Sequence, residues 1–298
     1  MLERIRTVLG EGILAVGLRD DAAVVEVPGG GTLIVSVDSV VEGVHVDLAF
    51  CRPADVGWKA LMGALSDLAA MGAHPLGALV ALCVPPADGD GHTTVEVMEG
   101  VAEASAASSC AVVGGDVSSG GQLVVAVTVL GTVDGGIAIP RSGAVPGDVV
   151  LVTGPCGGSA AGLRLLRAGT GEGWPYRRPV ARLREGALAR ASGAHAMIDV
   201  SDGLALDLHR LADASGVGFV LSEVPVAEGA TIEEALGGGE DYELVVTMEA
   251  GAATAFERGC RDAGLRTPVR LGMVVADPTE RSLGGGALPQ LGWQHRLG

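Results

Sequence analysis

The sequence predicts an α/β protein, with α+β character, that is built from two domains. Apolar strands alternate with amphipathic helices on both sides of a segment rich in glycine and proline, around residues 135–148. Such alternation is typical of α/β architecture, and a segment of that composition is typical of a connection between domains. The chain has 298 residues, enough for two domains of ordinary size. We therefore expect an N-terminal domain over residues 1–138 and a C-terminal domain over residues 139–298.

Two kinds of pattern predict the elements of the first half. Residues 32–38 form a β-branched run that ends on an acid, and residues 77–84 form an apolar run closed by two prolines, so both are predicted strands. Residues 54–71 repeat their apolar positions at helical spacing, which predicts a helix with one buried face. The other predicted elements of this half are a helix over 93–109, a strand over 111–113 that runs into Gly114-Gly115-Asp116, and a strand over 122–132.

The second half alternates in the same way. Its predicted strands cover 149–153, 195–200, 217–222, 242–248 and 269–275. Its predicted helices cover 158–168, 179–192, 203–214 and 250–264. We interpret residues 170–178 as an exposed loop, because glycine, charged residues and proline interrupt the pattern there.

Composition and charge argue against several classes of protein. The chain has 36 acidic and 20 basic residues, a net charge of −16, so we expect no binding to nucleic acid or to a membrane surface. The single lysine, Lys59, lies in an apolar stretch and not in a glycine-rich turn, which argues against a P-loop NTPase. Five scattered cysteines argue against a disulfide framework or a zinc site. With no apolar signal segment or membrane-spanning run, the expected location is the cytoplasm.

Acidic residues recur where the predicted elements of the first half end. Asp38 closes a strand beside Ser36, and oxygen ligands of this kind suit a hard cation. Asp67 lies late in the predicted helix on a face of small residues, where burying an unpaired carboxylate costs several kcal/mol. An Arg partner is the alternative for Asp67, but the scarcity of basic residues favours a metal ion. Asp20 and Asp21 taken alone are better explained as a solvated loop.

The segment Asp199-Val-Ser-Asp-Gly203 is more specific. Asp199 and Ser201 point the same way in an extended segment, while Asp202 stands at the entry to the next predicted helix. A helix start that offers free N–H groups beside two carboxylates suits a metal–phosphate complex. Ser201 or Asp202 acting only as the helix N-cap is the alternative, and the two functions are compatible.

Three weaker signals point to the same chemistry. Gly114-Gly115-Asp116 places an acid after a strand, although Gly-Gly-Asp is also an ordinary turn. Three glycines before Glu240 and Asp241 predict a loop that approaches a ligand closely, because such a loop is costly as a mere connection. Arg141 suits a bidentate phosphate contact, and a surface role explains it equally well.

Taken together, these segments resemble the thiamine-monophosphate kinase family, which belongs to the superfamily of aminoimidazole ribonucleotide synthetase, selenophosphate synthetase and the hydrogenase-maturation dehydratase. The resemblance runs from Asp20 to Trp293, and it is specific because order and spacing match as well as residue types. It rests on the phrases DDAAV, SVDSVVEGVHV, WKALMGALSDLAAMGAHP, VVGGDVS, RSGAVPGD, VTGPCGGSAAGL, IDVSDGLALDL and GGGEDYEL.

The resemblance implies an aminoimidazole ribonucleotide synthetase-like fold, a homodimer formed through the N-terminal sheet, and a C-terminal α/β domain. It implies ATP as co-substrate, thiamine monophosphate as acceptor and several Mg²⁺ ions, with metal and electrostatic catalysis and no catalytic side chain. The implied metal ligands are Asp21, Ser36, Val37, Asp38, Asp67, Asp116, Asp199 and Asp202, with Asp20 assisting. The implied ATP contacts are Gly115, Asp116, Arg141 and Ser201, and the implied thiamine monophosphate contacts are His45, Glu240 and Trp293.

The chain departs from the family pattern at two positions. Arg19 stands where the family usually has Gly, and Val37 stands where it usually has Thr, which leaves only a backbone carbonyl for a metal at residue 37. Two alternatives to the kinase are another ATP-dependent synthetase of the superfamily and a catalytically silent homologue that binds nucleotide or metal. Selenophosphate synthetases tend to carry a reactive N-terminal cysteine or selenocysteine, whereas the first cysteine here is Cys51.

Overall fold

Two β-sheets organise the chain, one in each half. A computed structural model describes residues 20–86, 89 and 91–294. The N-terminal sheet has the strand order β1-β2-β5-β3-β4, and the C-terminal sheet has the order β12-β11-β8-β10-β6-β9-β7. The strands are β1 (Ala23–Glu26), β2 (Thr32–Val41), β3 (His74–Val84), β4 (Val112–Ser119), β5 (Val124–Thr132), β6 (Val149–Val152), β7 (Ala196–Asp199), β8 (Gly218–Leu221), β9 (Leu244–Met248), β10 (Val269–Val275), β11 (Arg281–Leu283) and β12 (Gly286–Ala287). The helices are α1 (Pro53–Ala70), α2 (His92–Ser108), α3 (Gly158–Arg167), α4 (Trp174–Arg177), α5 (Leu183–Ala191), α6 (Leu204–Ser215), α7 (Ile232–Gly237) and α8 (Ala250–Asp262).

The N-terminal sheet is covered on one face by α1 and α2. Leu61, Leu65 and Leu68 repeat at helical spacing and are fully buried in this core, as the sequence pattern predicted. The two helices approach closely because Gly100 faces α1, where a Cβ would lie 1.7 Å from the carbonyl oxygen of Ala54. The predicted helix 54–71 and the predicted strand 32–38 are thereby confirmed, and the strand continues to Val41.

In the described part of the chain, the face of the N-terminal sheet that α1 and α2 do not cover is open, and so is part of its strand edges. Val37, Leu79 and Val117 are exposed apolar side chains. All eight residues of the edge strand β4 are exposed, and β1 pairs with β2 only along Thr32–Val35. Within the part of the chain that the structure describes, two stretches of strand edge, β4 and the second half of β2, are therefore uncovered.

Helix α1 also joins the two halves of the molecule. Its last residues, Ala69 and Ala70, are buried in a cluster with side chains of the C-terminal sheet and of α5 and α8. Gly186 of α5 meets it so closely that a Cβ would lie 2.1 Å from the carbonyl oxygen of Ala69. As a result the C-terminal half of α1 lies against β7, and Asp67 near the end of α1 comes close to Asp199 at the end of β7.

The mixed α/β architecture with two sheets confirms the predicted fold class, and two local predictions are wrong. Residues 170–178 are not an exposed loop, because they contain α4, whose Tyr176 is buried. Asp116 does not follow a strand but lies inside β4, together with Gly114 and Gly115. The sequence patterns also missed the short elements β1, α7, β11 and β12. Within the described ranges, no helix is both long and apolar enough to cross a membrane.

Candidate active site

A cavity of about 510 Å³ is lined by both halves of the chain. Asp38, His45 and Asp67 line it from the N-terminal half, and Ser201, Glu240 and Trp293 line it from the C-terminal half. Among the described residues, its lining carries six carboxylates and one guanidinium, that of Arg167. The six carboxylates belong to Asp38, Asp47, Asp67, Asp199, Asp202 and Glu240. The cavity is therefore strongly negative, and an anion can bind there only together with cations.

Three of the predicted metal ligands form one cluster, which we call the acid cluster: Asp21, Asp67 and Asp199. One carboxylate oxygen from each lies within 4.8 Å of the others. Asp21 precedes β1, Asp67 belongs to α1 and Asp199 ends β7, so the fold brings together acids that are distant in sequence. The sequence pattern alone identified Asp67 and Asp199, the family resemblance added Asp21, and neither could show that the three acids meet.

The acid cluster is electrostatically unfavourable on its own. Burial, followed by repulsion from Asp199 and Asp21, raises the pKa of Asp67 well above its usual range. Burial and the Asp21 carboxylate raise the pKa of Asp199 in the same way. One oxygen of Asp199 accepts a hydrogen bond of 2.6 Å from the Ser66 hydroxyl, but among the described residues its Oδ1 atom is buried without any partner. A buried, unpaired carboxylate oxygen beside two other carboxylates is a donor set that suits Mg²⁺.

Strand β2 places Ser36 and Asp38 on the side of the N-terminal sheet where the acid cluster lies. The two alternate with Val37 along the strand, and the Ser36 hydroxyl donates a hydrogen bond to Asp67. Gly63 of α1 leaves room for them, because a Cβ there would lie 3.1 Å from Oδ2 of Asp38. The Val37 side chain points to the open face and is 66% exposed. The family usually has Thr where this chain has Val37, and this difference therefore leaves unchanged the face of β2 that carries Ser36 and Asp38.

The predicted phosphate contact Arg141 pairs with acids of the N-terminal half. Its backbone N–H donates to Asp20 at 2.6 Å, and its guanidinium donates to both oxygens of Asp21, at 3.0 and 2.5 Å. Burial favours the neutral guanidine, but the Asp21 carboxylate outweighs this and raises the pKa of Arg141. Asp20 and Asp21 are thus not a solvated loop. Arg19 lies outside the described residues.

At the start of α6, Ser201 and Asp202 line the cavity. The backbone N–H groups of Asp202 and Gly203 both donate to Oδ2 of Asp207, at 3.1 Å. Gly203 is the N-cap residue, so the alternative in which Ser201 or Asp202 is the N-cap is wrong. The Asp202 carboxylate pairs with Arg210 at 2.6 Å, and its carbonyl accepts the N–H of Trp293 at 2.7 Å. This last bond brings a residue from the end of the chain to the cavity.

The glycine-rich loop before β9 also lines the cavity, as predicted. Gly237, Gly238 and Gly239 contribute backbone, and the following Glu240 contributes a carboxylate. Glu240 and Tyr242 have φ of 65° and 51°, a left-handed conformation that costs non-glycine residues about 1 kcal/mol or more. Strain of this kind is typical of functional loops.

Two predicted ATP contacts, Gly115 and Asp116, are not part of this cavity. Cross-strand register places Asp116 opposite Ala81, Ala81 opposite Ala126, and Ala126 opposite Ser39. Asp116 is therefore three strand spacings, about 14 Å, from β2. A single chain does not bring Asp116 to Asp38.

Sequence reasoning missed Lys59 and Tyr176 as residues of this site. Lys59 was used only to argue against a P-loop, and Tyr176 fell in the segment interpreted as an exposed loop. The signal for Lys59 was a charged residue among the apolar positions of a helix that the sequence predicts to be buried on one face.

Two family descriptions match most of the chain. Residues 19–133 match the AIR synthase related protein, N-terminal domain, and residues 145–284 match the AIR synthase related protein, C-terminal domain. The fold and the acid-lined cavity between its halves thus define a two-domain protein of the AIR synthase-related class.

Relatives within this class are more specific. The thiamine-monophosphate kinase of Bacillus subtilis strain 168 is 38% identical over 273 residues, which are 85% of this chain and 83% of that protein. The thiamine-monophosphate kinase of Methanospirillum hungatei JF-1 is 32% identical over 302 residues, 99% of this chain and 98% of that protein. A solved structure described as AaThiL complexed with AMPPCP and TMP is 30% identical, with a TM-score of 0.86, and covers 99% of this chain and 95% of that one. The chain belongs to the thiamine-monophosphate kinase family.

Proposed function

We propose that this protein is a thiamine-monophosphate kinase, which transfers the γ-phosphate of ATP to thiamine monophosphate and gives thiamine diphosphate and ADP. The observation that carries the proposal is the charge of the cavity, where six carboxylates and one guanidinium of the described part of the chain face the interior. ATP and a phosphate monoester are both polyanions, so a lining of this kind accepts them only with bound cations. The family of the chain and the relative solved with AMPPCP and TMP support the same activity.

Mg²⁺ is the cation that the donor set suits. The acid cluster would hold it, together with Ser36, Asp38, Asp202, the carbonyl of Val37 and Asp116, with Asp20 assisting. When bound, Mg²⁺ supplies charge neutralisation between the two phosphates and polarises their oxygens. The unpaired Oδ1 of Asp199 supports this assignment independently of the family.

The chain itself binds and orients the substrates. We propose that His45, Glu240 and Trp293 hold thiamine monophosphate, and that Arg141, Ser201, Gly115 and Asp116 contact ATP. The nucleophile is an oxygen of the acceptor phosphate, which is largely ionised near neutral pH because its second pKa is about 6. This oxygen forms a bond to the γ-phosphorus while the bond to the oxygen of ADP breaks. The step needs no general base, so we propose direct transfer without a phosphoenzyme.

A homodimer explains the position of Gly115 and Asp116. The open face of the N-terminal sheet is apolar, and an exposed strand edge tends to pair with another strand. We propose that β4 of one protomer pairs with the uncovered half of β2 of its partner. Asp116 of one protomer would then lie beside Asp38 of the other, which the single chain does not allow. The boundary between residues 138 and 139 and the cytoplasmic location remain predictions from sequence.

The test is an assay of purified protein with ATP, Mg²⁺ and thiamine monophosphate, in which thiamine diphosphate is separated from the products of plain ATP hydrolysis. We expect thiamine diphosphate to form, and to stop forming when EDTA is added. Asp38→Asn should remove most turnover and leave the circular dichroism spectrum unchanged. ATP binding without thiamine diphosphate formation would favour the silent homologue, and ATP consumption with another acceptor would favour a different synthetase.

A further inference from the structure

Lys59 has no assigned function, although it is the single lysine of the chain. It lies in the second turn of α1, and its side chain is 0% exposed. Its Nζ atom donates to Oε2 of Glu240 at 2.7 Å and to the carbonyl oxygen of His45 at 3.2 Å. The same atom lies 3.9 Å from the centroid of the Tyr176 ring. One buried ammonium group thus contacts three different segments of the chain.

All three partners belong to the wall of the active-site cavity. Glu240, His45 and Tyr176 line it, and the Tyr176 hydroxyl donates to the same His45 carbonyl at 3.1 Å. The Glu240 carboxylate is 25% exposed, so one of its oxygens pairs with Lys59 while the group remains accessible from the cavity. Without Lys59, Glu240 would add an unpaired carboxylate to a cavity that already holds five aspartates.

Stability alone does not explain a charge at this position. Taking an ammonium group out of water is costly, and replacing a buried ion pair by well-packed apolar side chains is often neutral or stabilising. Val56 and Leu61 are fully buried in the same helix, and the buried acid one turn before Lys59, Asp55, is already paired with Arg177 and Arg178. An apolar residue would pack there without this cost, so the ammonium group is best explained by what it holds in place.

We propose that Lys59 is a positioning residue for the acceptor substrate: it fixes the Glu240 carboxylate, the Tyr176 ring and the His45 carbonyl as one rigid wall. This inference rests on the proposed function, because Glu240 and His45 are the proposed contacts of thiamine monophosphate. The thiazolium ring of that substrate is cationic and its aminopyrimidine carries hydrogen-bond donors. An oriented, accessible carboxylate beside an aromatic ring suits both.

The test is a double-mutant cycle of Lys59→Met and Glu240→Gln, read as separate KM values for thiamine monophosphate and for ATP. Losing a hydrogen bond to a charged group typically weakens binding about tenfold to a hundredfold. We expect each single variant to raise the KM for thiamine monophosphate by about that factor, and the double variant to be no worse than the worse single one. The KM for ATP should stay within about twofold of wild type.

Trp58→Phe is the matched control. Trp58 is the neighbour of Lys59, and its indole N–H donates to the carbonyl of Pro179 at 2.7 Å. The variant removes one hydrogen bond made by the same helix and leaves Lys59, its three contacts and the charge in the cavity in place. It should leave the KM for thiamine monophosphate nearly unchanged. Lys59→Gln, which keeps an N–H donor for the His45 carbonyl, replaces Lys59→Met if that variant does not fold.

Three outcomes would overturn the proposal while the wild type still makes thiamine diphosphate. The first is that the effects of Lys59→Met and Glu240→Gln on the KM for thiamine monophosphate add up in the double variant. The second is that the KM for ATP rises as much as the KM for thiamine monophosphate. The third is that Trp58→Phe raises the KM for thiamine monophosphate as much as Lys59→Met does. A wild type that makes no thiamine diphosphate contradicts the proposed function instead. In that case, calorimetric titration of the wild type and of Lys59→Met with thiamine monophosphate tests the positioning role of Lys59 directly. Equal affinities of the two proteins for thiamine monophosphate would refute that role.

Discussion

Replacing Asp199 by Asn tests the acid cluster through stability and does not depend on turnover. Asp199 is 1% exposed and lies within 4.8 Å of carboxylate oxygens of Asp21 and Asp67. Two unit charges at that distance repel by about 3 kcal/mol at an effective dielectric constant of about 20. An Asn amide in the same place still accepts from Ser66 and donates its N–H to a neighbouring carboxylate. We therefore expect Asp199→Asn to stabilise the metal-free protein.

The expected shift in Tm follows from chain length. Unfolding entropy of about 2.1 cal/mol/K per residue gives about 0.6 kcal/mol per degree for this chain. A gain of about 3 kcal/mol then raises the Tm by about 5 °C in EDTA. The gain should grow with pH. The pKa values of Asp67 and Asp199 are higher in the folded state than in the unfolded state, so the folded state binds more protons. The stability of the wild type therefore falls as pH rises from about 4. The Asp199→Asn variant lacks one of these two groups, so its stability falls less.

Mg²⁺ should stabilise the wild type but not the Asp199→Asn variant. At a concentration about 100 times its dissociation constant, a ligand stabilises the folded state by about 2.7 kcal/mol, or about 4 °C here. We expect this rise for the wild type and little or none for Asp199→Asn. Differential scanning fluorimetry in EDTA and in Mg²⁺ measures both effects.

Asp148→Asn is the control for a buried carboxylate outside the cluster. Asp148 is buried, accepts the N–H of Val145 at 2.9 Å and pairs with His195. Its replacement should lower the Tm and preserve the full response to Mg²⁺. If Asp199→Asn behaves like this control, the acid cluster is not a cation site and the reasoning is refuted.

Three further changes test other parts of the structure. Asp55→Asn should cost about 3 kcal/mol of stability, since Arg177 and Arg178 pair with this carboxylate at 2.5 and 2.7 Å. Burial alone would raise the pKa of Asp55, but its arginine partners lower it to about 2. Its contribution is therefore present above about pH 4 and lost towards pH 2 in acid unfolding followed by circular dichroism. Val117→Lys on β4 should give a monomer in light scattering and lose most turnover, whereas Val95→Lys on α2, with a similarly exposed side chain, should change neither. Gly63→Ala should keep or raise the Tm, because Ala favours helix, and lower kcat/KM about tenfold by displacing Asp38. An unchanged kcat/KM would show that the site does not need the space that Gly63 leaves beside Asp38.

Local patterns in the sequence predicted most of the elements and many of the site residues. The helix 54–71 was predictable because its apolar residues repeat at one period, and Asp67 stood out as an acid on a face of small residues. Asp199 ends β7, and strand ends are where α/β folds place ligands; Asp38 was predicted at a strand end, although β2 continues past it to Val41. Each of these signals lies within a few residues of the position that it identifies.

Contacts between distant segments were not predictable in this way. Lys59 pairs with Glu240, 181 residues away, and Arg141 pairs with Asp21, 120 residues away. Only the start of β4 was predicted, over residues 111–113, because glycine is rare in strands and Gly114-Gly115-Asp116 resembled a turn. At an exposed sheet edge the usual cost of glycine is smaller, since there is little side-chain packing to lose.

Charge pairing around the cavity gives a physical reason for metal-dependent chemistry in this chain. The guanidinium groups nearest the acids are already paired: Arg141 with Asp21, and Arg210 with Asp202 and Asp207. Arg182 pairs with the buried Glu243. Diverting Arg182 or Arg210 to a phosphate would leave a buried carboxylate unpaired, at a cost of about 3–5 kcal/mol, and Arg141 already shares its charge with Asp21. In an enzyme that brings two phosphates together, the neutralising charge then has to come from bound cations, and the acids of the cavity are where those cations bind.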